Sequence, residues 1–385
     1  MAQEFWAPHV IVTGVGSASE VGKHAKSLGG SKALLVTDKG VIAIGVVDQV
    51  SRAMESSGLK VELFDDVPRE PEMGFVESGL EVFKRSRCDV IVALGGGSPM
   101  DVGKAIAVLA TSGGSMRDYE GQGKIPRVKA PLIAMPTTGG TGSEVTKFTI
   151  VTDVERKRKM LIGDPKLIPE VAICDPSFSL TVPPSLTMGT GMDSLTHAIE
   201  AYVSVRAQPI TDQLSLAAIK LISRSIYRAW KRGDDQEARS NMMIGSTLAG
   251  LAFSNSSVAL VHGMSRPIGA YFHLPHGISN AVLLPTVMEY SCGGNLEKYG
   301  EIAAAMGKRT DGLPALEAAR LSVAAVRKLA LDLEIPTLSG VGIDKSELER
   351  LAPKMAEDAL ASGSPNNNPR KASKEDIVAL YEKAY

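Results

Sequence analysis

The stretch "DVIVALGGGSPMDVGKA", residues 89–105, decides the fold. Its first half is a short, continuous apolar run that ends on glycine. A run of that length bounded by a turn reads as a strand buried on both faces. Gly95, Gly96 and Gly97 follow at once. Ser98 then stands as a helix cap, Pro99 suits the first helical position, and Asp101 completes a capping box. Three glycines ahead of a helix N-terminus allow positive φ and close backbone approach. They make an anion site suited to a pyrophosphate. The same letters also describe an ordinary tight strand-to-helix turn, so the motif is weak by itself.

Working outward, similar apolar runs occur at 32–38, 60–67, 130–138 and 171–176. Helical patterns lie at 41–57, 73–87 and 99–111. Strand and helix in alternation predict a parallel sheet covered on both faces. "FTIVTD" (148–153) and "KMLIGDP" (159–165) read as an added hairpin. After "TVPPSL" (181–186) strand-like runs vanish, and helical patterns follow at 211–230, 294–306, 314–333, 345–360 and 373–384. Ser373 and Asp376 have the form of a capping box. The expected organisation is therefore α/β plus all-α: a Rossmann-like parallel-sheet dinucleotide domain over 1–180 and a helical metal-binding domain over 181–385.

Composition excludes several classes. The net charge of -1 and 22% charged residues offer no field for nucleic acid or an anionic membrane. Cys88, Cys174 and Cys292 are few, odd in number and widely spaced, which predicts reduced thiols in a cytoplasmic protein. "MAQEFWAPHV" lacks the basic and apolar regions of a signal peptide. No Asp, Glu, Lys or Arg falls between Arg239 and Arg266, a length that could span a bilayer. The polar residues within it, among them Asn241, "SNSS" at 254–257 and His262, favour a buried helical core instead.

Two more glycine turns extend the dinucleotide reading. "MPTTGGTGSE" (135–144) ends a strand and carries Thr137, Thr138, Thr141 and Ser143, hydroxyls suited to phosphate or ribose. "TGVGSAS" (13–19) is an imperfect fingerprint, and Asp38 ends the next strand where an acidic residue meets the adenosine ribose in NAD sites. An acid there repels a 2′-phosphate, so NAD is preferred over NADP.

Three of the six histidines, His262, His273 and His276, crowd into "HGMSRPIGAYFHLPHG" (262–277). Asp193 and His197 lie four apart in "GMDSLTHAIEAY", on one helix face. Such a pair is more often a simple hydrogen bond than a metal site. With His262 and His276 it becomes one carboxylate and three imidazoles, suited to Fe2+, Zn2+ or another borderline divalent ion rather than Ca2+.

"GGGSPMDVGKA", "PTTGGTGSEV", "GMDSLTHAIEAY" and "HGMSRPIGAYFHLPHG" together resemble the iron-containing (group III) alcohol dehydrogenases, over essentially the whole chain. The resemblance implies the dehydroquinate synthase-like fold, with the site in the cleft between two domains, and a dimer or larger homo-oligomer. It implies metal ligands Asp193, His197, His262 and His276. It also implies a diphosphate on Gly95, Gly96, Gly97 and Ser98, a cofactor lined by Thr137, Thr138 and Thr141, and Lys159 reaching its ribose. Phe148 and Phe253 would wall a narrow pocket for a small primary alcohol or aldehyde.

Two departures stand out. Many members carry a histidine where this chain has Arg266, and a guanidinium cannot shuttle protons at neutral pH. "VPREPEM" (67–73) lacks the family's Asn near the cofactor. His273 is then a candidate proton relay, or only a hydrogen-bonded neighbour, and Arg266 a candidate for an ion pair or an anionic substrate group. The expected reaction is hydride transfer between NAD(H) and the alcohol or aldehyde, with the metal polarising the substrate oxygen. The alternatives are an NAD- and metal-dependent lyase of the dehydroquinate synthase type and a non-catalytic dinucleotide-binding scaffold.

Overall fold

The computed structural model describes residues 2–67 and 70–385; Pro68 and Arg69, in the departure at 67–73, lie outside them. The chain forms two compact units, Trp6–Val182 and Pro183–Tyr385, with residues 2–5 belonging to the second.

The first unit contains β1 (Val10–Thr13), α1 (Val21–Ser27), β2 (Lys32–Val36), α2 (Lys39–Ala43), α3 (Val46–Ser56), β3 (Lys60–Phe64), α4 (Met73–Arg85), β4 (Val90–Gly95), α5 (Gly97–Ser112), β5 (Gly121–Gln122), β6 (Leu132–Pro136), β7 (Phe148–Asp153), β8 (Arg158–Gly163) and β9 (Val171–Cys174). Six strands form one parallel sheet in the order β1-β9-β6-β4-β2-β3. Period-two alternation assigns its side chains to two cores. Leu34, Val36, Ile91, Ala93, Leu132 and Ala134 pack with residues of α4 and α5. Ala33, Leu35, Val90, Val92, Leu94 and Ile133 pack with residues of α1 and α3 on the other face. The added hairpin is β7 and β8, antiparallel, joined by β5 in a small second sheet.

Two sequence expectations change here. The helix of 41–57 is two helices, because Gly45 takes a left-handed φ of 76° between α2 and α3. The capping box on α5 does not form. The helix starts two residues earlier, at Gly97 with Gly96 as its cap, and Asp101 instead accepts from Ser143 Oγ at 3.1 Å and the Ile150 amide at 3.2 Å.

The second unit is helical: α6 (Pro184–Val203), α7 (Pro209–Lys231), α8 (Gln236–Ser256), α9 (Leu260–Phe272), α10 (His276–Ser291), α11 (Leu296–Ala305), α12 (Ala315–Asp332), α13 (Lys345–Ala361) and α14 (Lys374–Lys383). Ser373 and Asp376 cap α14 reciprocally, as their spacing predicts. Helix α6 lies in the core and is buried from Met192 to Val203. Its contact with α10 depends on glycine: a Cβ on Gly277 would stand 2.4 Å from the Gly189 carbonyl oxygen. That approach sets His276 beside the turn of α6 that carries Asp193. The uncharged stretch before Arg266 is broken, with α8 and α9 meeting at 102°, and no single described helix is long and apolar enough to cross a membrane. Pro267 sits inside α9 rather than ending it. The break comes at His273, which takes a left-handed φ of 55°, and Pro275 then caps α10.

Candidate active site

Helices α6, α9 and α10 each bring ligand-type side chains to one point. Donor atoms of Asp193, His262 and His276 all lie within 4.8 Å of one another. Asp193 Oδ1 is 3.6 Å from His262 Nε2, 3.7 Å from His276 Nε2 and 3.9 Å from His197 Nε2. Two donors about 2.1 Å from one ion at a tetrahedral angle stand about 3.4 Å apart, so the spacing fits a shared cation. His197 is not part of the tight three-way cluster. Its ring stacks on His262 at 4.6 Å and on Phe253 at 4.3 Å, which places Phe253 as a wall of this site.

The tautomer of His262 is set from behind. Its Nδ1 lies 2.6 Å from Glu200 Oε2. Glu200 also accepts from the backbone amides of Ala259 at 2.9 Å and Val261 at 2.5 Å. One buried carboxylate thus satisfies the otherwise orphaned N-terminus of α9 and fixes the His262 proton on Nδ1, leaving the Nε2 lone pair for the site. Asp193, His197 and Glu200 share one face of α6, at spacings of four and three. The sequence reading missed Glu200 although that helical spacing carried it. Asn280, one turn beyond His276 on α10, was missed too; its Nδ2 is 2.6 Å from Asp193 Oδ1.

Electrostatics follow from burial and charge. Burial alone would raise the Asp193 carboxyl, but His197, His276 and His262 outweigh it and hold the group below the ordinary carboxylate range. For His262 burial works downward, and Asp193 and Glu200 outweigh it and raise the imidazole pKa. The donor set of one carboxylate and clustered imidazoles matches a borderline divalent ion.

In the first unit the expected nucleotide residues gather at the end of the sheet. Gly95 takes φ 150°, and a Cβ there would stand 2.6 Å from Pro99 and 3.5 Å from Asp38 Oδ2. A Cβ on Gly97 would meet Thr141 Cγ2 at 3.3 Å, and the Thr137 amide donates to Gly95 O at 3.0 Å. Asp38, the glycine turn of Gly95–Gly97, Thr137 and Thr141 are therefore neighbours; Asp38 also caps α2 through the Val41 amide. Asp101 and Ser143 are tied to each other instead. Behind them Lys104, fully buried, donates to Ser143 Oγ, Thr146 O, Thr146 Oγ1 and Phe148 O within 3.1 Å. Burial pushes Asp101 up to about 6 and Lys104 down to about 8. The sequence reading treated Lys104 only as part of a motif.

Other expected residues have partners of their own or face solvent. Lys159 pairs with Glu70 at 2.8 Å on the exposed face of β8. Arg266 is half-buried and donates to Ser364 Oγ at 2.9 Å. Burial lowers its pKa and the Glu200 charge opposes that shift, so its guanidinium serves the interior of the helical unit. His273 is exposed at the turn between α9 and α10.

One unit carries a helix-borne cluster of carboxylate and imidazoles and the other carries phosphate-type glycine turns, the two parts expected of a dehydrogenase. The chain belongs to the iron-containing alcohol dehydrogenase family: residues 8–176 match iron-containing alcohol dehydrogenase and residues 187–385 match the Fe-containing alcohol dehydrogenase family, C-terminal. It is 41% identical to 1,3-propanediol dehydrogenase of Klebsiella pneumoniae, covering 99% of this chain and 98% of that protein. It is 40% identical to lactaldehyde reductase of Escherichia coli, covering 97% of each. A solved 1,3-propanediol oxidoreductase superposes with a TM-score of 0.97 at 41% identity over 100% of both chains. The chain is accordingly an alcohol/aldehyde oxidoreductase, which sets aside the lyase and scaffold alternatives.

Proposed function

We propose that the protein transfers a hydride between NAD(H) and a small primary alcohol or its aldehyde, using a divalent metal, Fe2+ or Zn2+, held by Asp193, His197, His262 and His276. The observation that carries this reading is the convergence of Asp193 Oδ1 with the Nε2 atoms of His262 and His276 in a pocket whose His262 tautomer Glu200 fixes. When bound, the metal supplies Lewis acidity to the substrate oxygen and NAD supplies the hydride acceptor. The chain's own residues do the rest. Gly95–Gly97, Ser98, Thr137, Thr138 and Thr141 would cradle the diphosphate and its sugar, while Asp38 disfavours a 2′-phosphate. Phe253, stacked on His197, narrows the site and excludes water. His273, exposed at the turn between the two ligand helices, is the candidate for passing the alcohol proton to solvent. The buried cysteines, none in a disulfide, accord with a cytoplasmic setting, and a homodimer or larger homo-oligomer with no nucleic-acid or membrane partner is part of the same proposal.

The test is metal analysis of the purified protein together with an alcohol and aldehyde panel assayed with NAD(H) and NADP(H). Net NADH formation from small primary alcohols and loss of metal in His262→Ala and His276→Ala, but not in His273→Ala, are expected. Metal retained in the first two variants would overturn the ligand assignment.

A further inference from the structure

Asn280 occupies an unusual position for a neutral side chain. It is fully buried, and its Nδ2 lies 2.6 Å from Asp193 Oδ1 and 3.2 Å from the Nε2 atoms of both His262 and His276. The orientation of the amide follows from chemistry. A carbonyl oxygen turned toward a carboxylate would be repelled, and the Glu200 contact puts the His262 proton on Nδ1, so Nε2 presents a lone pair. The nitrogen side must face the cluster.

This arrangement has a cost. The Asn280 Oδ1 is buried and has no hydrogen-bond partner among the described residues. An orphaned buried acceptor is destabilising. A leucine of similar shape would avoid that cost, so packing alone gives no reason for an amide here. The two N–H donors are what the position requires. One of them is aimed at Asp193 Oδ1, a carboxylate oxygen that can accept it and still face an ion, and Asn280 rides on the same helix as His276, one turn away.

We infer that Asn280 is a positioning residue of the metal site: its amide grips Asp193 Oδ1, an oxygen whose other lone pairs stay open to an ion, and so fixes that oxygen between the ring nitrogens of His262 and His276. This rests on the metal reading above. Asn280 acts through the ligands, and its effect is on how tightly and in what geometry the ion is held. Partners of this kind change metal affinity about 10–100-fold when removed.

The test uses Co2+ as the probe, because its visible absorption reports coordination geometry. Wild type, Asn280→Leu and Asn280→Ser full-length proteins are stripped of metal, titrated with Co2+ against a competing chelator, and melted without metal. The expected result is Co2+ affinity about 10–100-fold weaker in Asn280→Leu with an altered absorption spectrum. Its metal-free melting temperature should be retained, since the orphaned carbonyl has been deleted. Asn280→Ser, which keeps a shorter donor, should fall between. Wild-type affinity and spectrum in Asn280→Leu overturn the role of Asn280 alone. If Asn280→Leu does not fold, unchanged Co2+ binding by Asn280→Ser overturns it equally. A wild type that takes up no Co2+ overturns the metal reading, and the role of Asn280 with it.

Discussion

The two units build their sites from different material. The turn proposed to hold the nucleotide is mostly backbone: glycines at Gly95–Gly97 and the start of α5, braced from below by Lys104, Asp101 and Ser143. The helical cluster is mostly side chain: the proposed ligands come from α6, α9 and α10, with Glu200 and Asn280 hydrogen-bonded to them. A backbone site is damaged through its supports, and a side-chain site through its members. The support in the first unit is itself an unusual structure, a fully buried ammonium whose four hydrogen bonds tie α5 to the segment leading into β7.

The comparison breaks most sharply at Lys104. Lys104→Met strands Asp101 and several acceptors in the interior, and removing one partner from such a buried network costs about 3–5 kcal/mol. Urea unfolding should show that loss, NADH titration should weaken, and metal content should stay at the wild-type level. A fall in metal content would mean the two sites are not separable. The next effect is one of pH. The Asp101 carboxyl is raised from 3.8 to about 6, which corresponds to about 3 kcal/mol. A raised pKa means the protonated form suits the folded state, so this contribution is full below about pH 4 and is lost as pH climbs through about 6. Wild type should therefore lose stability relative to Asp101→Asn over that window, and parallel pH curves for the two would refute the burial argument.

Glu200→Gln should weaken metal binding about 10–100-fold, while NADH affinity measured by fluorescence stays unchanged. The smallest effects belong to Arg266 and His273. With its guanidinium on Ser364, Arg266→Ala should change kcat/KM by less than about tenfold, and equally for charged and neutral alcohols. A selective loss with an acid-bearing alcohol would restore Arg266 as a substrate contact. His273→Gln should slow turnover by less than about tenfold and flatten its pH profile. An unchanged rate and profile would remove the relay.

Much of this was legible in the sequence because strong patterns carried it. The apolar run of Val90–Leu94 and its glycines named a buried parallel strand and a turn, and the alternation of such runs with helical patterns named a sheet covered on both faces. Asp193, His262 and His276 were recognisable as ligand types before their distances were known. What escaped was decided by partners distant in sequence. Asp101 has the spacing of a cap, but Ser143 and Ile150, more than forty residues away, claim it. Glu200 and Asn280 carry residue types that are common on helices, and only the fold turns them toward the imidazoles. Arg266 reads as a functional departure until Ser364, nearly a hundred residues on, takes up its guanidinium.

Glu200 has one further consequence. The same carboxylate holds the His262 ring and the first amides of α9, so occupancy of the site and fraying of that helix end are one equilibrium. Metal loading should then be readable without any turnover, as slowed hydrogen–deuterium exchange at the amides of Ala259, Val261 and His262.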